Sequence, residues 1–390
     1  MKHNWTYKKL GEVVTIERGG SPRPIQDYIT TAENGLNWIK IGDAVEGSKY
    51  ITSTKEKIKP EGLKKTRFVH KGDFILSNSM SFGRPYILAI DGCIHDGWLV
   101  LHDENQVFDK SYLYYYLSSS SIYEEFKRLA VGGVVNNLNS DIVRKVKVAI
   151  PSLSEQQAIV RELDGINRLI DLQEEQLREY DRLAQSLFYT TFGDPTTNPK
   201  GWEVKKLGEV AVIRDGSHNP PKGVDEPTEY RMLSSQNIFD NLIDYSKGVR
   251  YLSKENFELE HKRTNLKAGD VLLTIVGTIG RACIVTDKDT NITLQRSVAV
   301  LSPKDDILSI YLNRLLFVIG EKLQYESRGV AQKGIYLGQL SKTQIPVPPL
   351  ALQQSFAAQI EAIEQQKALI HRSLDDTRTL LAARMQYYFE

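Results

Sequence analysis

The amino-acid sequence contains one set of motifs twice, with a constant separation of 197 residues between the copies. The opening Trp5, Lys8-Lys9 and Leu10-Gly11-Glu12-Val13 returns as Trp202, Lys205-Lys206 and Leu207-Gly208-Glu209-Val210. The same separation relates Gly72-Asp73 to Gly269-Asp270, Gly83-Arg84 to Gly280-Arg281, Ile150-Pro151 and Gln156-Gln157 to Val347-Pro348 and Gln353-Gln354, and Phe192 to Phe389. Chance does not hold one offset across five separated motifs. The chain is therefore two copies of one module, and we expect a pseudo-twofold internal repeat in its fold.

Both copies have the same internal order. A mixed region contains short β-rich stretches such as Phe74-Ile75-Leu76 and Val271-Leu272-Leu273-Thr274, separated by turns with Gly and Asp. A proline-containing stop follows, and after it a long helical pattern begins. We therefore predict an α+β fold with tandem α/β domains at residues 1–152 and 201–349. Long helices are predicted at 153–192 and 350–390, with a linker at 193–200.

Both helical segments carry apolar residues at alternating spacings of four and three, which predicts a coiled-coil seam. Ser154 is the predicted N-cap of the first helix, with Glu155 in its first turn. Gln173 and Lys367 interrupt the two seams, where polar residues cost stability but can fix the register. The apolar seam positions are Ile159, Leu163, Ile166, Ile170, Leu177, Tyr180, Ala184 and Leu187 in the first helix, and Phe356, Ile360, Ile363, Ile370, Leu374 and Leu381 in the second.

The short linker predicts how the helices pair. If they ran parallel, the chain would have to double back between the first helix and the second domain, whereas antiparallel packing needs only residues 193–200. A helix of about 37 residues spans about 55 Å. We therefore expect one domain at each end of an antiparallel pair, at a spacing on the scale of one to two turns of B-DNA, about 34–36 Å each.

Charge is segregated along the chain although the net charge is only +1. Residues 1–150 carry 21 Lys and Arg against 17 Asp and Glu, and residues 197–349 carry 21 against 18. Residues 151–196 carry 4 against 9, and residues 350–390 carry 4 against 5. Basic charge favours contact with nucleic-acid phosphates, so the two predicted domains, rather than the helices, are the candidate DNA-binding regions.

The sequence contains no complete catalytic motif and no clustered metal-binding residues, so it does not favour an enzyme. Asn219-Pro220-Pro221 resembles an amino-methyltransferase motif, but Lys222 follows where an aromatic residue is needed to stack on the base. Gly277-Thr278-Ile279-Gly280-Arg281 lacks the Gly-Lys-Ser/Thr end of a phosphate-binding loop. His95-Asp96 is a possible general-base pair, though such a pair in a turn is far more often structural.

The remaining global features favour a cytoplasmic protein. The sequence has no run of about 18 apolar residues, as a membrane span requires, and its start has no apolar signal-peptide core. Cys93 and Cys283 are too few for a disulfide framework or a four-ligand zinc site, and we expect both to be small buried residues.

Taken together, these motifs resemble the specificity subunit of a type I restriction-modification enzyme. The resemblance rests on the Leu-Gly-Glu-Val opening of each half, the Gly-Asp strands at 72–76 and 269–273, the segments 150–157 and 347–354, and Phe192-Gly193-Asp194-Pro195. It covers essentially the whole chain, in order and in duplicate. It implies two target-recognition domains that each read one half of a bipartite DNA sequence, joined by antiparallel helices that dock two methyltransferase subunits.

The same resemblance implies where the chemistry is done. S-adenosylmethionine, ATP and Mg are expected on the methyltransferase and restriction/translocase subunits, with no cofactor or metal bound by this chain. The acidic side chains of the first helix are the candidates for docking those partners, and a merely solvated helix face is the alternative for each of them. They are Glu162, Asp171, Glu174, Glu175 and Glu179.

Candidate DNA-binding residues lie in loops at equivalent places in the two copies. Arg, Lys, Asn and Gln can read base edges, while hydroxyls and basic groups bind phosphates. Copy one offers Arg18, Ser21, Arg23, Asn78, Ser79, Ser81, Arg84, Asn136 and Asn137; copy two offers Ser217, His218, Asn219, Lys222, Gln236, Asn237, Thr274, Thr278, Arg281, Gln332 and Lys333. Arg84 and Arg281 occupy the same offset, so a shared phosphate contact or a shared structural ion pair is expected there. Elsewhere the side chains differ, as two halves that read different sequences require.

Three other functions compete with this interpretation. A coiled-coil scaffold with globular ends explains the helices but not the basic domains with unlike loops. An RNA-binding protein would be expected to show clustered aromatic stacking motifs, which are missing. A single-chain restriction or methylation enzyme is disfavoured by the absent catalytic motifs.

Overall fold

The computed structural model describes residues 5–78, 82–130, 138–239, 241–289, 291–320, 323–324 and 334–390. The chain divides into two compact units. Unit 1 contains residues 1–173 and 373–390, and unit 2 contains residues 174–372. The division differs from the linear domains predicted from the sequence, because each unit takes a part of each long helix.

Unit 1 contains two five-stranded sheets and a two-stranded ribbon. The outer sheet has the order β3-β6-β4-β10-β7, the inner sheet β2-β11-β8-β9-β5, and β1 pairs with β12. The elements are β1 (Thr6–Lys9), β2 (Thr15–Arg18), β3 (Ile29–Thr30), β4 (Leu36–Ile39), β5 (Tyr50–Ile51), β6 (Glu56–Ile58), β7 (Arg67–Val69), β8 (Phe74–Ser77), β9 (Pro85–Leu88), β10 (Gly92–Ile94), β11 (Trp98–His102), α1 (Lys110–Ser118), α2 (Ser120–Ala130), α3 (Ser140–Lys145), β12 (Lys147–Ile150) and the first part of α4 (Leu153–Phe192).

The period-2 pattern of the strands builds unit 1 in layers. Ile39 and Ile94 of the outer sheet pack against the inner sheet, and Phe74 on the far side of the inner sheet packs against α1–α3 and the long helices. Trp38 and Cys93 face the other side of the outer sheet. That side is covered by the loop after β2 and the 3₁₀ segment Pro60–Lys65.

Unit 2 repeats this plan with a four-stranded inner sheet, β14-β22-β19-β20, and a three-stranded outer sheet, β18-β15-β21. The hairpin β16-β17 and the ribbon β13-β23 complete it. The elements are β13 (Glu203–Lys206), α5 (Leu207–Val210), β14 (Ala211–Asp215), β15 (Arg231–Leu233), β16 (Ile238–Phe239), β17 (Leu242–Ile243), β18 (Arg250–Tyr251), α6 (Lys254–Thr264), β19 (Val271–Thr274), β20 (Ala282–Ile284), β21 (Ile292–Leu294), β22 (Val298–Pro303), α7 (Ser309–Val318), α8 (Leu337–Lys342), β23 (Gln344–Val347) and the first part of α9 (Leu350–Phe389).

The outer sheet of unit 2 is covered by a helix instead of a 3₁₀ segment. Met232 of that sheet and Leu252, which directly follows β18, pack against Phe257 of α6. The opposite face meets the inner sheet through residues such as Leu233 and Leu272. Both units therefore have the same order of layers, from the long helices to an outermost covering segment.

The repeated Leu-Gly-Glu-Val motif closes each unit. The Leu10 amide donates to the Val146 carbonyl at 2.8 Å, and the Leu207 amide donates to the Thr343 carbonyl at 2.9 Å. Gly11 makes the close approach possible, because a Cβ there would lie 2.7 Å from Cβ of Arg144. The motif is thus part of the frame rather than of a binding surface.

The repeated glutamine pair has the same structural role in both units. Gln353 is fully buried; its Oε1 accepts from the Leu308 amide at 2.8 Å, and its Nε2 donates to the carbonyls of Asp306 and Pro348. Gln156 makes the equivalent three bonds with residues 107, 109 and 151. Each glutamine clamps the start of a long helix to the loop that precedes α7 or α1.

The first long helix spans Leu153–Phe192, the predicted range, but Ser154 is not its N-cap. The Ser152 amide donates to the Glu155 carboxylate at 2.9 Å, and the Glu155 amide donates back to the Ser152 hydroxyl at 3.4 Å. This reciprocal pair is a capping box with Ser152 in the capping position.

The helix segments run antiparallel within each unit, as predicted. In unit 1, Gln173 bonds Ser373 at 2.8 Å while Glu162, earlier in α4, pairs with Arg384, later in α9. In unit 2, Lys367 pairs with Asp181 at 2.6 Å, and Phe192 at the end of α4 contacts Phe356 near the start of α9. Both polar seam positions therefore have polar partners.

Candidate nucleic-acid interface

The loop after β2 brings three predicted DNA-binding residues together around Asp96. The Ser21 hydroxyl donates to the Asp96 carboxylate at 2.8 Å, Arg23 pairs with the same carboxylate at 3.3 Å, and Arg18 donates to the Asp96 carbonyl at 2.9 Å. Burial alone would raise the pKa of Asp96, but the Ser21 hydrogen bond and the neighbouring His95 and Arg18 lower it. The carboxylate therefore stays charged and orients the loop.

Arg18 and Arg23 remain available to a ligand despite these contacts. The Arg23 side chain is 81% exposed, and Arg18 lies at the exposed end of β2. His95 instead holds the frame: its Nδ1 accepts from the Gly97 amide at 2.5 Å, its Nε2 lies 3.3 Å from the Ile41 amide nitrogen, and burial lowers its pKa. The pair His95-Asp96 thus organises a loop, which is the structural role expected for such a pair in a turn.

The equivalent loop of unit 2 is organised by a different carboxylate. Asp215 lies at the end of β14 and bonds His218 at 2.6 Å and Arg263 at 3.1 Å. Burial would raise the pKa of Asp215, but the hydrogen bonds from His218 and Arg263 lower it. Asn219 and Lys222 are exposed further along the loop. Sequence analysis missed Arg263, which belongs to α6, since no sequence pattern links it to Asp215.

Four predicted contact residues are buried, and their side chains do not face a ligand. Asn78, Asn237 and Thr274 are at most 1% exposed and Ser217 is 5% exposed. Asn237 binds the backbone of its own turn, donating to the carbonyls of Asp244 and Lys247. Thr274 accepts from the Arg281 amide at 3.0 Å, and Asn78 donates to the Asp96 carbonyl at 2.9 Å. The side chains of Asn78, Asn237 and Thr274 bond the backbone of loops, and Ser217 is buried. The prediction that these four side chains contact DNA is therefore corrected.

The two arginines at the shared offset have different partners. Arg84 pairs with Glu46 at 2.7 Å, which raises the pKa of Arg84 and corresponds to the expected structural ion pair. The Arg281 guanidinium lies over the Phe239 ring at 4.8 Å. The backbone around the arginines is nevertheless the same, because the Ser77 hydroxyl accepts from the Arg84 amide as Thr274 does from Arg281.

Gln236 and Thr278 are exposed in unit 2 and remain candidates there. Six further candidates lie outside the described residues: Ser79, Ser81, Asn136, Asn137, Gln332 and Lys333.

The acidic residues predicted to dock partners are of three kinds. Glu162 does not face outward as expected, because Arg384 and the Tyr388 hydroxyl bind its carboxylate, and these hydrogen bonds lower the pKa of Glu162. Glu175 and Glu179 pair with arginines of their own helix. Asp171 is exposed and Glu174 is half-buried.

The described residues contain no group of three or more His, Cys, Asp and Glu side chains that could hold a metal ion. None of the helices in those residues is long and apolar enough to cross a membrane.

Comparison with solved structures supports this architecture. A chain from a study of complex assembly and conformational transition of the type I R-M system matches with a TM-score of 0.62 at 19% identity, covering 99% of this chain and 97% of that one. The S subunit of a type I restriction-modification system from M. genitalium matches with a TM-score of 0.54 at 13% identity, covering 100% and 97%. At these identities the likeness shows the fold alone.

Comparison at the level of sequence gives relatives and a family match. The type I restriction enzyme EcoBI specificity subunit of Escherichia coli is 23% identical over 391 residues, 92% of this chain and 79% of the relative. The MjaIX specificity subunit of Methanocaldococcus jannaschii is 25% identical over 240 residues, 57% of this chain and 55% of that relative. The family described as the type I restriction modification DNA specificity domain matches residues 2–180 and 199–376. Because this match takes in both copies of the repeat, the chain belongs to that family and is a DNA sequence-recognition subunit of a type I restriction-modification system.

Proposed function

We propose that each unit reads one half of a split DNA target, and that the two halves have different sequences. The observation that carries this proposal is the contrast between frame and loops. The frame motifs make the same hydrogen bonds in both units, as the Gln156 and Gln353 clamps do. The exposed loops on this frame differ, with Arg18 and Arg23 around Asp96 in unit 1 and His218 beside Asp215 in unit 2.

The proposal extends to the partners. The long helices dock two methyltransferase subunits, and restriction subunits join that core in the cytoplasm. Those partners bind S-adenosylmethionine, ATP and Mg, while this chain supplies recognition and no catalytic group. The exposed Asp171 is the acidic candidate for docking; Glu162 is not, because its carboxylate is used within unit 1.

Exchange of one recognition block tests the proposal. Residues 201–349 are replaced by the corresponding block of a relative that keeps a tyrosine at the position of Tyr311, since Tyr311 packs on Phe192 of α4. The variant is expressed with its modification subunits, and the methylated sequence is determined by genome sequencing. We expect one half of the target to change and the other to persist. A change in both halves would show that the units are not independent readers.

A scaffold without a nucleic-acid role is the competing function. It predicts no salt-dependent binding of the complex to duplex DNA, whereas a reader that neutralises phosphates must lose affinity as salt rises. Titration of a fluorescent duplex at several salt concentrations separates the two.

A further inference from the structure

The covering layers of the two units differ strongly in charge. In unit 1 this layer consists of residues 18–28 and 59–67, with six Lys and Arg against two Asp and Glu. In unit 2 it consists of residues 215–230 and 254–264, with four against seven. The frames beneath are equivalent, so the difference belongs to the surface alone.

The two segments of the unit 1 layer form one continuous surface. A Cβ at Gly20 would lie 2.8 Å from the Lys65 carbonyl oxygen, and the Lys59 ammonium donates to the Asp27 carbonyl at 2.7 Å. Arg67 donates to the Arg18 carbonyl at 3.2 Å. The basic side chains of both segments are therefore presented together.

The lysines of this layer are oriented by uncharged groups. Lys65 donates to the Tyr28 hydroxyl at 2.8 Å and lies over its ring at 5.1 Å, and Lys59 is held by a backbone carbonyl. Lys64 is exposed, and no contact of its ammonium occurs within the described part of the chain. These contacts fix positions without cancelling charge, so the positive potential is left for an anionic ligand.

Two of the four cations of the unit 2 layer have carboxylate partners. Arg263 pairs with the Asp215 carboxylate at 3.1 Å, and Lys254 lies 4.0 Å from the Glu258 carboxylate. Helix α6 also carries Glu255 and Glu260. In the unit 1 layer Arg23 and Arg67 have carboxylate partners as well, but the layer itself carries fewer carboxylates, so a polyanion meets more net positive charge there than beside α6.

We propose that the covering layer of unit 1 is a binding surface for the phosphate backbone of duplex DNA, and that the counterpart on unit 2 is not. The inference rests on the proposed function. The chain then holds DNA asymmetrically: both units read bases, but unit 1 supplies most of the salt-dependent affinity of this chain.

The test compares two triple variants with the same change in charge. Lys59→Gln, Lys64→Gln and Lys65→Gln are combined in unit 1. In unit 2, Lys254→Gln and Lys262→Gln of the covering layer are combined with Lys267→Gln just beyond α6, all exposed, as the matched control. Each complex with modification subunits is titrated with a fluorescent duplex of arbitrary sequence at several salt concentrations. Affinity falls as salt rises, and each lost phosphate contact reduces the steepness of log affinity against log salt by about 0.9. We expect a decrease of about 2–3 for the unit 1 triple and of less than about 1 for the control.

Equal decreases, or an unchanged slope in the unit 1 triple, would overturn the inference. An unchanged slope with weakened assembly of the complex would overturn it in favour of protein docking. The Lys→Arg triple at 59, 64 and 65 must keep the wild-type slope. If the glutamine triple fails to fold, Lys64→Gln alone must lower the slope by about 0.9.

Failure of the proposed function and failure of this inference give different results. A wild-type complex that methylates no split sequence contradicts the proposed function itself. A wild-type complex with an intact target, and a unit 1 triple with an unchanged slope, contradict only the asymmetric phosphate surface. The unit 1 triple should still methylate the wild-type sequence, because phosphate contacts position the protein without specifying bases.

Discussion

Replacement of Gln353 by methionine tests whether the repeated Gln-Gln motif is a structural clamp. Methionine nearly preserves the volume of the side chain, so the variant removes hydrogen bonds without creating a large cavity. The bond to the Pro348 carbonyl is fully buried, and its loss costs about 1–3 kcal/mol. The bonds with Leu308 and Asp306 are partly buried, so water can replace them in part, at about 0.5–1 kcal/mol each. The expected total is about 2–5 kcal/mol.

The assay is thermal unfolding, followed by calorimetry. For a unit of about 200 residues, 1 kcal/mol corresponds to about 2–4 °C, so Gln353→Met should lower the midpoint of unit 2 by about 4–20 °C. Gln354→Met is the matched control, because Gln354 is the exposed second member of the same pair. Gln156→Met and Gln157→Met repeat the comparison in unit 1. Equal midpoints for Gln353→Met and Gln354→Met would refute the clamp.

Three further substitutions probe the helix pair and a recognition turn. Arg384→Met should lower the free energy of unfolding of unit 1 at neutral pH. In an acid denaturation series this loss should shrink as the pH falls through the lowered pKa of Glu162, since a carboxylate with a lowered pKa stabilises the fold above that pKa and not below it. A loss of stability that persists when Glu162 is protonated would contradict this pairing. Gln173→Met should raise the stability of the seam in urea unfolding, because the buried Gln173 Oε1 has no hydrogen-bond partner, and a lower midpoint would show that the bond to Ser373 outweighs that penalty. Asn237→Ala should lower the unfolding midpoint of unit 2, because Asn237 binds three backbone groups of its turn, whereas Gln236→Ala at an exposed position should not. Equal effects of the two substitutions would make Asn237 a candidate DNA contact again.

Repeat spacing predicted the frame well because both copies must satisfy the same backbone geometry. Gly11 and the two glutamine clamps make close contacts with residues that are remote in the sequence, so the same residue types are needed at the same offset. The N-cap of the first helix was assigned two residues too late. Ser152 and Glu155 have the Ser-x-x-Glu spacing of a capping box, which identifies Ser152 rather than Ser154 as the capping residue.

The candidate site was predicted less well because polar residues in loops have two possible uses. Asn237 and Thr274 have the residue types of base or phosphate contacts, yet each is consumed by backbone groups of its own loop. Glu162 has the appearance of an outward acidic residue on the helix, but its partner Arg384 lies 222 residues away in the sequence. No local pattern distinguishes the interhelical face from a docking face when the neighbouring helix is so remote.

The contrast between Arg84 and Arg281 shows how one frame can present different charged surfaces without changing its fold. Their backbones are held by equivalent hydroxyls, Ser77 and Thr274, so the guanidinium starts from the same place in each unit. Glu46 neutralises Arg84, whereas the Phe239 ring leaves the charge of Arg281 uncompensated. The charge presented at this position is therefore set by the partner that a loop unlike its counterpart supplies. Under the proposed function, substitution in the loops alters recognition at small cost to stability, while substitution in the frame alters stability first.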